Sequence, residues 1–249
     1  MIALSNINKV FNKDKDNEVV AIKSLSLTIN QGEYLTIVGS NGSGKSTLLN
    51  IISGAEMPTN GTITIEGTDV TKMPEYKRSK WIARVFQNPL SGTAPDLSII
   101  DNFRLAALRT QSRGLTIGVN ASFKKKVKDR IATLGMGLEN KTEQPIGTLS
   151  GGQRQALTLL MGVMDETKIL LLDEPTAALD PRSADIIMKT ADVLIKEHNL
   201  TAILITHNLK YAHQYGNRLI QMSEGVITKS LDSQQKLALP LTDLFAWFI

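Results

Sequence analysis

Apolar and polar residues alternate in three early stretches: Ile2-Ala3-Leu4-Ser5-Asn6-Ile7, Leu25-Ser26-Leu27-Thr28-Ile29, and Gly61 to Gly67. The polar segment Asn12 to Asn17 supplies turn chemistry between the first two. A period of two buries one face of a strand, so these stretches predict an antiparallel layer. A second pattern consists of solid, mainly apolar runs: Leu35 to Val38, Ile169 to Leu172 and Ala202 to Ile205. Stretches with helical spacing lie between and beside them, at Leu48 to Ile52, Gln153 to Val163 and Ala184 to His198. Such runs alternating with helices predict parallel strands covered on both faces.

From about Asn88 the pattern changes. Pro89, Gly92 and Pro95 break the chain, and Ile100 to Leu108 and Phe123 to Leu134 then carry apolar residues at helical spacing. This predicts an inserted helical subdomain. The apolar tail from Leu237 to Ile249 is shorter than the roughly 20 residues that span a bilayer, and is expected to pack on the body. The fold class is α/β in one domain, residues 1–249. Its core and antiparallel part take 1–87 and 152–230, its helical subdomain 88–151 and its tail 231–249. An apolar content of 42% in 249 residues suits a packed globular core.

Composition narrows the function classes. The chain has no cysteine, so a disulfide framework and thiolate metal sites are excluded, and a reducing compartment is expected. The first residues lack a basic start followed by a long apolar core, so no signal peptide is expected. Lys and Arg number 28 against 24 Asp and Glu, and they are scattered, which gives no nucleic-acid stripe. The densest run, Lys124-Lys125-Lys126-Val127-Lys128, reads as the solvated face of a helix.

The candidate chemistry begins at Val38-Gly39-Ser40-Asn41-Gly42-Ser43-Gly44-Lys45-Ser46-Thr47, between a buried run and a helix. This fits the pattern of a phosphate-binding loop, GxxxxGK[ST], which offers free backbone N–H groups at a positive helix end. Gly39, Gly42 and Gly44 let the backbone approach an anion, Lys45 reaches the β- and γ-phosphates, and the Ser46 hydroxyl ligates Mg²⁺. A mere Gly/Ser-rich connection loses to the strand, loop and helix context. A second element, Ile169 to Glu174, is a buried run ending in two carboxylates. There Asp173 would hold Mg²⁺ through its water shell and Glu174 would act as general base on the attacking water. Pro175-Thr176 follows, so the pair alone could also be a turn and helix cap. A third, Leu149-Ser150-Gly151-Gly152-Gln153, offers a hydroxyl and bare N–H groups at another helix start, and alone it equally suits an ordinary N-cap.

Together the three elements resemble those of the ABC (ATP-binding cassette) ATPases, over about residues 2 to 230. The resemblance implies a P-loop NTPase fold: a RecA-like parallel-sheet core, an N-terminal antiparallel β subdomain and an inserted helical subdomain. It implies ATP and Mg²⁺ as cofactors, with ATP on Gly39, Ser40, Asn41, Gly42, Ser43, Gly44, Lys45, Ser46 and Thr47 and the metal at Ser46, Gln87 and Asp173. Phe11 falls where the family stacks an aromatic on adenine, a contact worth about 1–3 kcal/mol; a core phenylalanine is the competing reading. Gln87 matches the glutamine that senses Mg²⁺ and the γ-phosphate, and His207 the switch histidine. Asp180, in Ala178-Leu179-Asp180, matches the D-loop, although an Asp before Pro181 can simply cap a helix. In the family, Ser150, Gly151, Gly152 and Gln153 of a second subunit close the site, so ATP-bound copies form a head-to-tail homodimer.

A cassette without membrane spans resembles the separate ATPase subunit of an importer. That subunit would sit at the cytoplasmic face of the cell membrane, held there by permease subunits on its helical subdomain. Gly92-Thr93-Ala94-Pro95-Asp96-Leu97, Gln155 to Met161 and Gly216 to Ile220 resemble a subgroup encoded with a substrate-binding protein or lipoprotein for tryptophan-like, aromatic amino acids. The continuation of the signature helix, Ala156 to Met161, departs from the Arg-rich form of many importers. The alternatives are a lipoprotein-release or export cassette with identical motifs, and a non-transport cassette on nucleic acid or ribosomes. The latter class generally carries tandem cassettes, coiled-coil insertions or basic extensions, none of which is visible here.

Overall fold

The structure, a computed structural model, describes residues 1–109, 118–164 and 167–248. Strands β1 (Ile2–Phe11), β2 (Val19–Ile29) and β3 (Tyr34–Val38) lead into helix α1 (Lys45–Ser53), followed by β4 (Asn60–Ile65) and the short β5 (Thr68–Asp69). Then come α2 (Glu75–Arg78), β6 (Ile82–Val85), α3 (Ile99–Ala107), α4 (Ala121–Ala132) and α5 (Gly151–Gly162). The chain continues through β7 (Ile169–Asp173), α6 (Pro181–Glu197), β8 (Thr201–Ile205), α7 (Leu209–Gln214), β9 (Arg218–Ser223), β10 (Val226–Leu231), α8 (Ser233–Ala238) and α9 (Leu241–Phe245).

Two sheets form. The antiparallel one runs β2-β1-β4-β5, as the alternating stretches predicted, and Ile2, Leu4 and Ile7 point from β1 into the core. The six-stranded sheet runs β10-β9-β3-β8-β7-β6, with parallel pairing from β9 to β6 and β10 added antiparallel. All five residues of β3, β7 and β8 are buried, the burial expected of parallel strands covered on both faces. In β7, Ile169 and Leu171 face one core with α1 and the antiparallel sheet, while Leu170 and Leu172 face a second core containing α5 and α6. Helices α3 and α4 join that second core.

Local chemistry sets the helix ends. The side chains of Ser98, Asn120, Ser150 and Asp180 accept from the first-turn amides of α3, α4, α5 and α6. Helix α4 buries only Val127 and Ile131, and its lysines pair outward, Lys124 with Glu143 at 3.0 Å and Lys125 with Asp129 at 2.7 Å. The charge run is thus a solvated face. The tail packs on the body: Leu244 is buried with Val38, Ala212 and Leu219, and Gln221 donates to the Trp247 carbonyl at 2.9 Å. No helix among the described residues is long and apolar enough to cross a membrane.

Candidate active site

The phosphate loop lies between β3 and α1. Helix α1 begins after Gly44, which has φ 98° and gives no side-chain cap, so the first amides of α1 carry no capping oxygen. A Cβ at Gly44 would lie 2.6 Å from the Ala21 carbonyl oxygen of β2, and one at Gly39 would lie 2.3 Å from that of Met222. These glycines therefore clear the chain's own backbone, which packs tightly beneath the loop. Ser40, Asn41, Gly42 and Ser46 are exposed, Thr47 is partly so, and Gly39, Ser43 and Lys45 are buried. Lys45 Nζ donates to the carbonyls of Gly39 and Ser40, both at 2.8 Å, and to Ser43 Oγ at 3.3 Å. Burial pushes its ammonium below the ordinary lysine range, opposed by the nearby carboxylates of Glu174 and Asp173. A buried cation held only by two carbonyls and a hydroxyl, with no ion pair among the described residues, fits a polyphosphate.

Both carboxylates stand at the C-terminal end of β7, beside β8, where Asp173 is in register with Ile205. Asp173 is nearly buried, and its Oδ2 accepts from Arg84 Nη2 at 2.6 Å. Glu174 takes φ 47°, a left-handed conformation unusual for a side-chain-bearing residue, and its N–H donates to the Ile205 carbonyl at 3.0 Å. This turn carries Glu174 Oε1 to within 2.5 Å of His207 Nε2, two residues beyond β8. Lys45, Asp173, Glu174 and His207 therefore gather at one edge of the parallel sheet, the carboxyl ends of its strands, where open α/β sheets bind ligands.

No group of three or more His, Cys, Asp or Glu side chains among the described residues could hold a metal ion alone. The donors here are the exposed Ser46 hydroxyl, the Asp173 carboxylate and the exposed Gln87 amide. Such hard oxygens fit Mg²⁺ when phosphates and water complete its shell.

Gln87 follows β6 and lines a cavity of about 430 Å³ with Phe86, Asn88, Pro89, Ser91 and Ala178, bringing it to the D-loop segment. Ser150 and Gln153 form a capping box on α5, with Gln153 N to Ser150 Oγ at 3.3 Å and Ser150 N to Gln153 Oε1 at 3.2 Å. Asp180 caps α6 by accepting from Ser183 N at 3.0 Å, and this holds its carboxyl below the usual range. The N-cap readings of Ser150 and Asp180 therefore hold within the chain. The two helix starts pack together: a Cβ at Gly151 would meet only Leu179 within 4 Å, and one at Gly152 only Ser183. Phe11 is partly exposed and lies outside all three hydrophobic cores, so it is not a core phenylalanine. Lys9 Nζ lies 4.6 Å from its ring centroid, and its strand partner Val19 is exposed.

Two residues without an assigned role in the motifs also belong to the site. Gln155, fully buried in α5, donates to the carbonyls of Phe86 and Pro175, both at 3.0 Å. It joins the segment before Gln87 to the segment after Glu174. Arg84 is the other, through Asp173. A polar residue on the buried face of a helix was the available signal for Gln155; Arg84 offers none before its partner strand is known.

Known proteins resemble this chain in sequence and fold. The ABC transporter family model matches residues 22–177. A tyrosine transport ATP-binding protein of Clostridioides difficile is 36% identical over all of this chain and 98% of its own length. An ATP-binding protein of a lipoprotein-releasing system from Caulobacter vibrioides is 32% identical over 93% of this chain and 96% of its own. An ATP-binding cassette solved as a dimer in a post-hydrolysis state with ADP and Pi superposes with a TM-score of 0.80 at 28% identity, covering 94% of this chain and 99% of that one. The fold, the phosphate loop and these likenesses together place the chain in the ABC transporter family, as an ATP-binding cassette whose hydrolysis of ATP is coupled to transport.

Proposed function

We propose that this cassette powers the import of an aromatic amino acid, from the cytoplasmic face of the membrane, through permease subunits served by a substrate-binding protein or lipoprotein. The observation that carries the catalytic part is the convergence of Lys45, Asp173, Glu174 and His207 on one edge of the sheet. Gly39 to Thr47 cradle the phosphates and Phe11 takes the adenine. Lys45 turns from its own carbonyls to the β- and γ-phosphates. Ser46, Asp173 and Gln87 would hold Mg²⁺, which would supply charge neutralisation at the phosphates. Glu174 takes a proton from the attacking water, while His207 orients that carboxylate and contacts the γ-phosphate. Charge stabilisation must surround the γ-phosphate, and the loop covers one side only. Ser150, Gly151, Gly152, Gln153 and Asp180 of a second copy complete it.

The permease reading is supported by a groove of about 370 Å³ where the segment after Gln87 meets α3 and α5. Gly92, Ala106 and Met161 line it, with Leu105 exposed at its rim. Arg84 and Ser91 line it on either side of Gln87 in the chain, so motion at Gln87 reaches a docked helix directly. The tyrosine transport function of the Clostridioides difficile relative supports the substrate class. The Caulobacter vibrioides relative supports a lipoprotein-release cassette instead. Tagged protein drawn from native membranes should bring a polytopic permease, and deleting the subunit should abolish high-affinity uptake of labelled tyrosine, tryptophan or phenylalanine. Uptake at the unmodified rate for all three, in cells lacking other routes, overturns the substrate class. Ribosomes or DNA in place of a permease overturn transport.

A further inference from the structure

Arg84 is buried at the site without a role in the chemistry above. It lies on β6, in register with Leu171 of β7, two residues before the end of that strand. Its Nη2 donates to Asp173 Oδ2 at 2.6 Å, and both side chains are 11% exposed. The guanidinium also lies 4.7 Å from the Phe86 ring centroid, and Nε is buried without a hydrogen-bond partner among the described residues. A charge-assisted hydrogen bond this short, shielded from water, is a strong polar contact. It engages one of the two oxygens that Asp173 can turn toward a metal's water shell. A fixed positive charge there also repels a divalent cation, the more so because solvent is largely excluded.

We propose that Arg84 is a tethered cation competing with the metal for Asp173, so that Mg²⁺ bound with ATP must displace or weaken the Arg84 contact before Asp173 can serve it. This rests on Asp173 being the metal-side carboxylate. The consequence is a metal affinity below that of the carboxylate alone, and a side chain whose pairing reports whether metal-nucleotide is bound. The simpler role, in which Arg84 only orients Asp173, has the opposite sign: removing an orienting group loosens metal binding, and removing a competitor tightens it.

The test uses the full chain with Mn²⁺ and a non-hydrolysable ATP analogue, and reads bound metal by electron paramagnetic resonance. Arg84→Met and Arg84→Gln should tighten Mn²⁺ by about tenfold, the scale of one charge-assisted contact, and Asp173→Asn should loosen it. If Asp173→Asn leaves the affinity unchanged, the metal reading of Asp173 fails. If Asp173→Asn loosens it while folded Arg84 variants bind as the parent does or more weakly, the competition fails and only orientation survives. The unmutated protein gives a test independent of variant folding. Adding Mg²⁺ and the analogue should abolish slow proton exchange at the Arg84 guanidinium; protection retained with metal bound overturns the proposal.

Discussion

Glu174 is held away from ordinary strand geometry by the hydrogen bond its N–H donates to the Ile205 carbonyl, and it meets His207 at 2.5 Å. That placement gives the carboxylate a fixed direction before any water arrives. Glu174→Gln preserves the shape but removes the carboxylate proposed as general base, and the loss of such a base commonly lowers rates by about 10²–10⁴-fold. ATP binding by filter retention should survive while steady-state hydrolysis falls on that scale; near-normal turnover removes the assignment. Lys45, Asp173 and Glu174 were legible in the sequence because each is specified by neighbours in the chain: a glycine pattern, a buried run, a pair of acids. Arg84 was not, because its partner Asp173 lies 89 residues away, and Gln155 offered only its polarity on a buried helix face, its partner Phe86 lying 69 residues away.

At the level of elements, α1 shows how one helix serves two ends. Its N-terminus is left open to an anion, whereas its last carbonyls are taken by the buried Arg78, which donates to Ile51 at 2.8 Å and Ile52 at 3.0 Å. Arg78→Met leaves those carbonyls and that of Met73 without their donor. Urea unfolding should show a loss of about 3 kcal/mol, the scale of buried groups left unpaired; a loss under about 0.5 kcal/mol contradicts the capping role. A second lock is Lys236 of α8, which donates to the carbonyls of Tyr215 and Gly216. Burial lowers its ammonium from the ordinary 10.5 to about 8. The folded value lies below the unfolded one, so the unfolded chain binds the extra proton between those limits, and this group makes stability rise with pH from about 8 to 10.5. Below that window its burial cost is constant. Lys236→Met should flatten the rise in urea midpoint across it; an unchanged slope would show that Lys236 stays charged. The groove between β6 and α3 makes a third case. Ser98 caps α3 by accepting from the Asp101 amide, so Ser91 and Leu105 are the better sites for single cysteines. Both should crosslink to permease cysteines in a nucleotide-dependent way. Crosslinks confined to 225–235 would move the coupling surface elsewhere.

On the scale of the whole molecule, the alternating and solid apolar runs foretold two kinds of sheet, because burial on one face or two is written directly in residue order. The order β10-β9-β3-β8-β7-β6 was not foretold, since it depends on crossovers that no local pattern records. Strand β6 escaped notice for a related reason: four residues, Ile82-Ala83-Arg84-Val85, carry a charge in the middle and no alternation. The apolar tail resolved into α8 and α9 against the body, where Leu244 is fully buried. The larger consequence is functional. Lys45 opens one helix start beside the two carboxylates, while Ser150 opens another packed against Leu179 and Ser183. In the proposed head-to-tail dimer each chain would present two half-sites, and the partner would supply the missing half of each.

Mixing two disabled variants tests that sharing directly. Lys45→Ala removes the cation proposed for the phosphates, and Ser150→Arg puts bulk and charge where the proposed sandwich seats the partner's γ-phosphate. Glu174→Gln is added to both chains to stop turnover, and retained labelled ATP is counted per dimer. Each variant alone has no competent site and should retain none. In the mixed dimer one site carries both lesions and the other neither, so one ATP per dimer should be occluded. If mixing restores no occlusion while both variants fold and pair, the two motifs do not share a site across subunits, and the sandwich reading of this cassette is wrong.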